Sequence, residues 1–275
     1  MSSRPIDVRT RLSPEEFKRT YIVGNRPVIV TDAMDNWKAR AWTPEGLRRV
    51  FADAPIGVSD DGPYAIATLS YDDFLRHLRE AETSDGPPDG SIAHLRYLRA
   101  REQYAFDRIR GEWSKPYFMP EGGYCVPLAP FRQDPSQVRF PGFNLYVSPR
   151  GAASKLHIDG LRTNSVLCQI HGVKRCFVIP PDQAHLVPSR AERQARKGRH
   201  LSRHPEPDFG KATAMQFDLH PGEIMLFPHG WFHEVHTLST SISLSWNFVL
   251  TDEARQFIPW YMNALVMDRQ KLNVG

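Results

Sequence analysis

Seven short apolar runs follow one another in the second half of the chain: FNLYVS (Phe143–Ser148), KLHID (Lys155–Asp159), SVLCQIHG (Ser165–Gly172), KRCFVIP (Lys174–Pro180), AMQFDLHPG (Ala214–Gly222), EIMLFPHG (Glu223–Gly230) and SISLSWNFVL (Ser241–Leu250). Each is of strand length, and turn residues such as Gly, Pro and Asp punctuate the series. Runs at this spacing predict a sandwich or small barrel of mainly antiparallel strands. In the last run Ser241, Ser243, Ser245 and Asn247 alternate with Ile242, Leu244, Trp246 and Phe248. One face of that strand is therefore polar and the other apolar. Small polar groups without Lys or Glu fit the lining of a site better than a solvated face.

Upstream, Ser13-Pro14-Glu15-Glu16 combines a hydroxyl cap, a proline at the first helical position and a glutamate three residues on, so a short helix ending near Gly24 is expected. Pro27-Val28-Ile29-Val30-Thr31 reads as a buried strand, and Thr43-Pro44 and Ser70 with Asp73 start two further helices. ETSDGPPDG, within Glu82–Gly90, and the proline-dense Pro116–Pro141 are connectors or lids. Downstream, Phe257, Trp260, Tyr261, Ala264, Leu265 and Met267 recur at helical spacing. The expected organisation is an N-terminal mixed α/β region over 1–135 packing on a β core over 136–250, with a C-terminal helix over 251–275, all one structural unit. That last helix is expected to pack on the barrel or on a second copy of itself, which would make a homodimer.

With 275 residues, 41% of them hydrophobic, the chain can fill a sizeable core. No run of about 18 apolar residues is present to span a bilayer, and the N-terminus carries no apolar stretch resembling a secretory signal, so a cytoplasmic location without a membrane partner is expected. Cys125, Cys168 and Cys176 are widely spaced and odd in number, which suggests neither a disulfide framework nor a thiolate metal site. A net charge of +4 does not by itself argue for a nucleic-acid partner. The segment Pro188–His204, PSRAERQARKGRHLSRH, concentrates Arg and Lys against the single Glu192. It reads as a solvated loop or as a lid attracting an anionic partner, and without interleaved aromatics it makes a poor nucleic-acid platform.

The chemistry centres on His157-Ile158-Asp159. On a strand, residues two apart share a face, so the imidazole and the carboxylate converge while Ile158 turns away. A third ligand is offered by the segment Pro221–His236, which holds His229, His233 and His236 after a strand and a turn. Two histidines and one carboxylate on one face of an octahedron leave three positions open, an arrangement that suits Fe(II) oxygenases.

HIDGLRTNSVLCQIHGVKRCFVIPPDQ, followed by HPGEIMLFPHGWFHEVHTLSTSISLSWNF, resembles the jumonji C class of cupin-fold 2-oxoglutarate oxygenases. The shared features run in order: HxD, a basic residue in a GxKR context, PGE, a WxH turn, and a polar strand ending in NF. LSPEEFKRTYIVGNRPVIVTDAMDNWKARAWTPEGL resembles the lead-in of the cupin-like, asparaginyl-hydroxylase-type branch, so the likeness covers most of the chain. The resemblance implies a double-stranded β-helix, or jelly-roll, core. It also implies Fe(II), 2-oxoglutarate as cosubstrate and O2, with His157, Asp159 and His233 as ligands and His229 and His236 as bystanders.

Matched position by position, Lys174, seventeen residues after His157, becomes the lysine that binds the far carboxylate of 2-oxoglutarate, and Ser245 the hydroxyl that supports it. Asn247, Tyr97 (with Tyr104 as its rival), Ser154 and Thr163 are further cosubstrate candidates. Asn144 and Tyr146 are assigned to the substrate side. One departure stands out: the branch has an asparagine ten residues after its first histidine ligand, and this chain has Leu167. Asn247 is then the candidate to hold the metal-proximal carboxylate. The implied activity is a 2-oxoglutarate-dependent dioxygenase, a hydroxylase of a protein or peptide side chain or of a small molecule. The alternatives are a binding cupin without oxygen chemistry and a cupin holding another metal.

Overall fold

The computed structural model describes residues 6–51, 55–59, 67–83, 97–98, 103–126, 133–137, 143–160, 163–189, 192 and 209–251. The C-terminal helix expected beyond Thr251, most of the basic segment, and the side chains of Tyr97 and Tyr104 lie outside these residues.

Among the described residues fourteen strands are formed, in chain order: β1 (Asp7–Arg9), β2 (Val28–Val30), β3 (Ile56–Ser59), β4 (Ala67–Leu69), β5 (Tyr97–Leu98), β6 (Tyr124–Cys125), β7 (Asn144–Ser148), β8 (Ala153–His157), β9 (Asn164–His171), β10 (Lys174–Ile179), β11 (Met215–Leu219), β12 (Ile224–Phe227), β13 (Phe232–Thr237) and β14 (Ser241–Leu250). A seven-stranded sheet runs β1-β2-β12-β9-β14-β6, with β7 also on β14, and a four-stranded sheet runs β11-β10-β13-β8. From β7 to β14 the chain alternates between these two sheets, keeping only β10 and β11 together. Every pairing among these eight strands is antiparallel. Two facing sheets wound in this way form a double-stranded β-helix, the jelly-roll that the resemblance implies and one form of the sandwich that the strand spacing predicts. β3, β4 and β5 form a separate small sheet.

The alternation in β14 decides where the two cores lie. Ile242, Leu244, Trp246 and Phe248 are at most 1% exposed and join the larger apolar cluster with Phe17, Phe118, Trp113 and Phe143. That cluster seals the large sheet against the N-terminal region. A second cluster, including Cys176, Val178, Met225, Phe227 and Val235, fills the space between the two sheets. The polar face of β14 also turns inward: Ser243 is 0% exposed and donates to Gln169 Oε1 at 2.7 Å, so it does not face solvent.

The N-terminal region joins the large sheet as well as packing on it, because β2 pairs with β12 and β1 adds in parallel to β2. Ser13 Oγ accepts the Glu16 N–H at 3.1 Å, capping α1 (Pro14–Glu16) as expected. The chain continues through Phe17–Val23 with wider i→i+5 turns rather than as an ordinary α-helix. That widening brings Phe17 and Ile22, five residues apart, to one buried face. α2 (Arg48–Phe51) and α3 (Tyr71–Thr83) follow, then α4 (Gln103–Ile109). Ser70 Oγ caps α3 through the Asp73 N–H at 3.1 Å. The three cysteines are free, with Cys168 and Cys176 buried. No helix among the described residues is long and apolar enough to cross a membrane.

Candidate metal centre

His157 ends β8 and His233 lies near the start of β13, where the two are direct cross-strand partners. Their rings therefore meet, with centroids 4.2 Å apart. Asp159 follows two residues beyond the strand, its Oδ1 standing 3.7 Å from His157 Nε2 and 3.8 Å from His233 Nε2. The three potential ligand atoms all lie within 4.8 Å of one another. Neither His229 nor His236 belongs to this cluster; His236 turns instead to Glu234.

Each imidazole is oriented from its own backbone. His157 Nδ1 lies 2.7 Å from the Lys155 carbonyl and His233 Nδ1 3.3 Å from that of Trp231. A carbonyl only accepts, so each Nδ1 carries the proton and each Nε2 lone pair is left for a metal. Phe227 stacks on the His233 ring, centroids 4.4 Å apart and 18° from parallel. Burial, and next the His157 ring, lower the His233 pKa to about 4 against the opposing pull of Asp159. The ring is thus neutral near pH 7, the form a metal requires. Access comes from the other side, since the His157 side chain is 42% exposed and that of His233 only 7%. Two neutral imidazole nitrogens and one carboxylate, open on one flank, fit Fe(II) by their donor chemistry.

Deeper in, the same cavity of about 100 Å³ reaches Lys174 and Ser245. Lys174 opens β10 opposite Thr237 of β13, and its ammonium donates to Thr237 Oγ1 at 3.3 Å. Burial pushes its pKa from 10.5 down to about 8. An ammonium so placed has much to gain from an incoming carboxylate. Thr237 escaped the sequence reading, although its position four residues after His233 on one strand puts both on the cavity face.

Ser154 and Tyr146 line this cavity too, and so does Leu167. Asn144 lies beyond Tyr146 on the same face of β7, opposite Ser245 in register, and is not part of the lining. Thr163 and Asn247 do not reach the cavity either. Asn247 Nδ2 donates to Thr163 Oγ1 at 2.7 Å, and Thr163 in turn donates to the Gly160 carbonyl at 3.0 Å. This pair ties β14 to Gly160, the residue after Asp159. Tyr97 sits on β5, opposite Ser59 of β3.

The family model for the cupin-like domain matches residues 14–253. The chain belongs to the cupin-like domain family. Proteins similar to this chain include the arginine-specific demethylase JMJ20 of Arabidopsis thaliana, 23% identical over 262 residues that cover 86% of this chain and 55% of the relative. The bifunctional arginine demethylase and lysyl-hydroxylase psr-1 of Caenorhabditis elegans is 26% identical over 257 residues, covering 86% and 59%. HSPB1-associated protein 1 of Rattus norvegicus is 26% identical over 257 residues, covering 82% and 49%. The cupin-like chain thus spans roughly half the length of the curated relatives it matches.

Proposed function

We propose that this cupin-like protein is an Fe(II)- and 2-oxoglutarate-dependent dioxygenase that hydroxylates a protein side chain. The observation that carries the proposal is one cavity with His157, Asp159 and His233 at its mouth and the buried ammonium of Lys174 within. When bound, Fe(II) with 2-oxoglutarate and O2 supplies the oxidising power for inserting oxygen into a C–H bond, the cosubstrate leaving as succinate and carbon dioxide.

The chain's own residues bind, orient and exclude water. His157 and His233 present Nε2 because their Nδ1 protons are engaged by backbone carbonyls, and Asp159 supplies the anionic ligand. Lys174 selects a diacid, since among the described residues its buried ammonium donates to the Thr237 hydroxyl alone and gains most from a carboxylate placed against it. Ser245 and Thr237 add hydroxyls on the same cavity wall. Phe227, Val235 and Leu167 add apolar surface between these polar groups and limit water around the reacting groups. A protein side chain as substrate rests on the similarity to demethylases and a lysyl-hydroxylase whose names specify arginine or lysine.

The test is succinate release with Fe(II), 2-oxoglutarate and O2, alone and with candidate peptides or metabolites. Wild-type protein is expected to form succinate, and His157→Ala or Asp159→Ala to abolish it. Full turnover in either variant would reject the ligand assignment, and peptide-independent, metabolite-stimulated turnover would move the substrate to a small molecule.

A further inference from the structure

Between the cross-strand pairs His233–His157 and Val235–Ser154, β13 has one residue, Glu234, and β8 has two, Lys155 and Leu156. Two residues against one is a β-bulge, which leaves an extra backbone N–H to satisfy. The bulge also explains a departure from simple alternation. Ser154 and His157 both line the cavity although they are three residues apart, a spacing that would put them on opposite faces of a regular strand. Without the extra residue, Ser154 and His157 could not both face the metal centre.

The extra N–H is taken up by a side chain from the partner strand. Glu234 is 8% exposed, and its Oε2 accepts the Leu156 N–H at 3.1 Å. Its Oε1 lies 2.6 Å from His236 Nε2, and the His236 ring meets Phe177 edge-on. The carboxylate is thus held from one side while it seats the bulge on the other. Within that bulge, the Lys155 carbonyl accepts from His157 Nδ1 at 2.7 Å and sets which nitrogen of His157 faces the metal.

We propose that Glu234 is a positioning residue: by holding the Leu156 N–H it fixes the bulge of β8 and, through it, the placement and tautomer of the ligand His157. This rests on the metal centre described above, and it assigns to Glu234 no contact with metal or substrate. Loss of the acceptor frees the bulge to slip toward regular pairing, and a one-residue slip exchanges the faces of the side chains that move.

The test uses metal binding and the imidazole itself rather than turnover alone. Co(II) binding to the wild-type protein is measured by calorimetry, and the tautomer of His157 by nitrogen-15 NMR of the metal-free protein. Glu234→Ala is expected to weaken Co(II) binding about tenfold, the scale seen for groups that orient metal ligands. It should also replace a single Nδ1–H tautomer at His157 with a mixture. Glu234→Gln keeps an oxygen acceptor and should restore both. If the alanine variant does not fold, Glu234→Asp, one methylene shorter, takes its place with the same expected direction. A folded Ala or Asp variant that binds Co(II) as tightly as wild type, with the His157 tautomer unchanged, overturns the proposal. Failure of the wild-type protein to bind Co(II) would strike the metal centre instead, so the two readings fail separately.

Discussion

Replacing Lys174 with methionine is expected to stabilise the cosubstrate-free protein while destroying its ability to bind the diacid. The side chains are similar in length, so the cavity stays filled and the main change is the loss of a buried charge. Burial lowers the Lys174 pKa from 10.5 to about 8, which at 1.36 kcal/mol per pH unit is a cost of about 3 kcal/mol for keeping the amine charged in the fold. The hydrogen bond to Thr237 offsets about 1 kcal/mol of this. The net gain on substitution is then about 2 kcal/mol at pH 7, a rise in melting temperature of about 3–4 °C for a chain of this size. The sign follows from linkage. With the folded pKa below the unfolded one, wild-type stability climbs as pH rises from about 8 to 10.5, because over that range only the unfolded lysine still binds its proton. The advantage of Lys174→Met is therefore full below about pH 8 and fades toward pH 10.5. Scanning calorimetry across that range measures it. Adding 2-oxoglutarate to the Mn(II)-loaded protein should raise the melting temperature of wild type further and leave that of the variant where Mn(II) alone puts it. A variant less stable than wild type at pH 7, or an advantage undiminished at pH 10.5, would refute the reasoning.

Two further substitutions probe the frame around the site. Gly172 turns the chain from β9 into β10 with φ +70, and a Cβ there would stand 2.1 Å from the Thr240 carbonyl oxygen, so Gly172→Ala should cost well over about 1 kcal/mol in chemical denaturation. An unchanged midpoint would show that the turn is freer than its geometry implies. Thr163→Val keeps the shape of Thr163 but removes both hydrogen bonds that link Asn247 to the Gly160 carbonyl. It should lower stability by about 1–2 kcal/mol with the urea dependence unchanged, as unfolding followed by fluorescence would report.

The parts of this fold legible in the sequence were those whose pattern repeats. The alternation along Ser241–Leu250 shows two faces, and the structure buries both, the apolar one under Trp113 and Phe17 and the polar one between the sheets. The His157-Ile158-Asp159 pair was readable because side-chain period alone brings residues two apart together. What stayed hidden depends on register or on pairing between distant strands. β1 is three residues long, too short for any periodicity to show, and it exists because β2 offers it an edge. The widened turns of Phe17–Val23 carry the same cap and the same apolar residues as an ordinary helix. Thr237 meets Lys174 only through the β10–β13 register, and Ser154 reaches the cavity only because of a bulge that no local motif announces. Thr163 and Asn247, assigned to the cosubstrate by resemblance, bond to each other and, through Thr163, to the Gly160 carbonyl.

On the proposed function, one ferrous ion and one diacid share the cavity between His233 and Lys174. Fe(II) and 2-oxoglutarate added without oxygen test it most directly. A weak visible charge-transfer band at about 500 nm, from a keto acid chelating ferrous iron, is expected in the wild-type protein but not in folded His233→Ala. The absence of that band from folded wild-type protein saturated with both, or an equal band in His233→Ala, would contradict it.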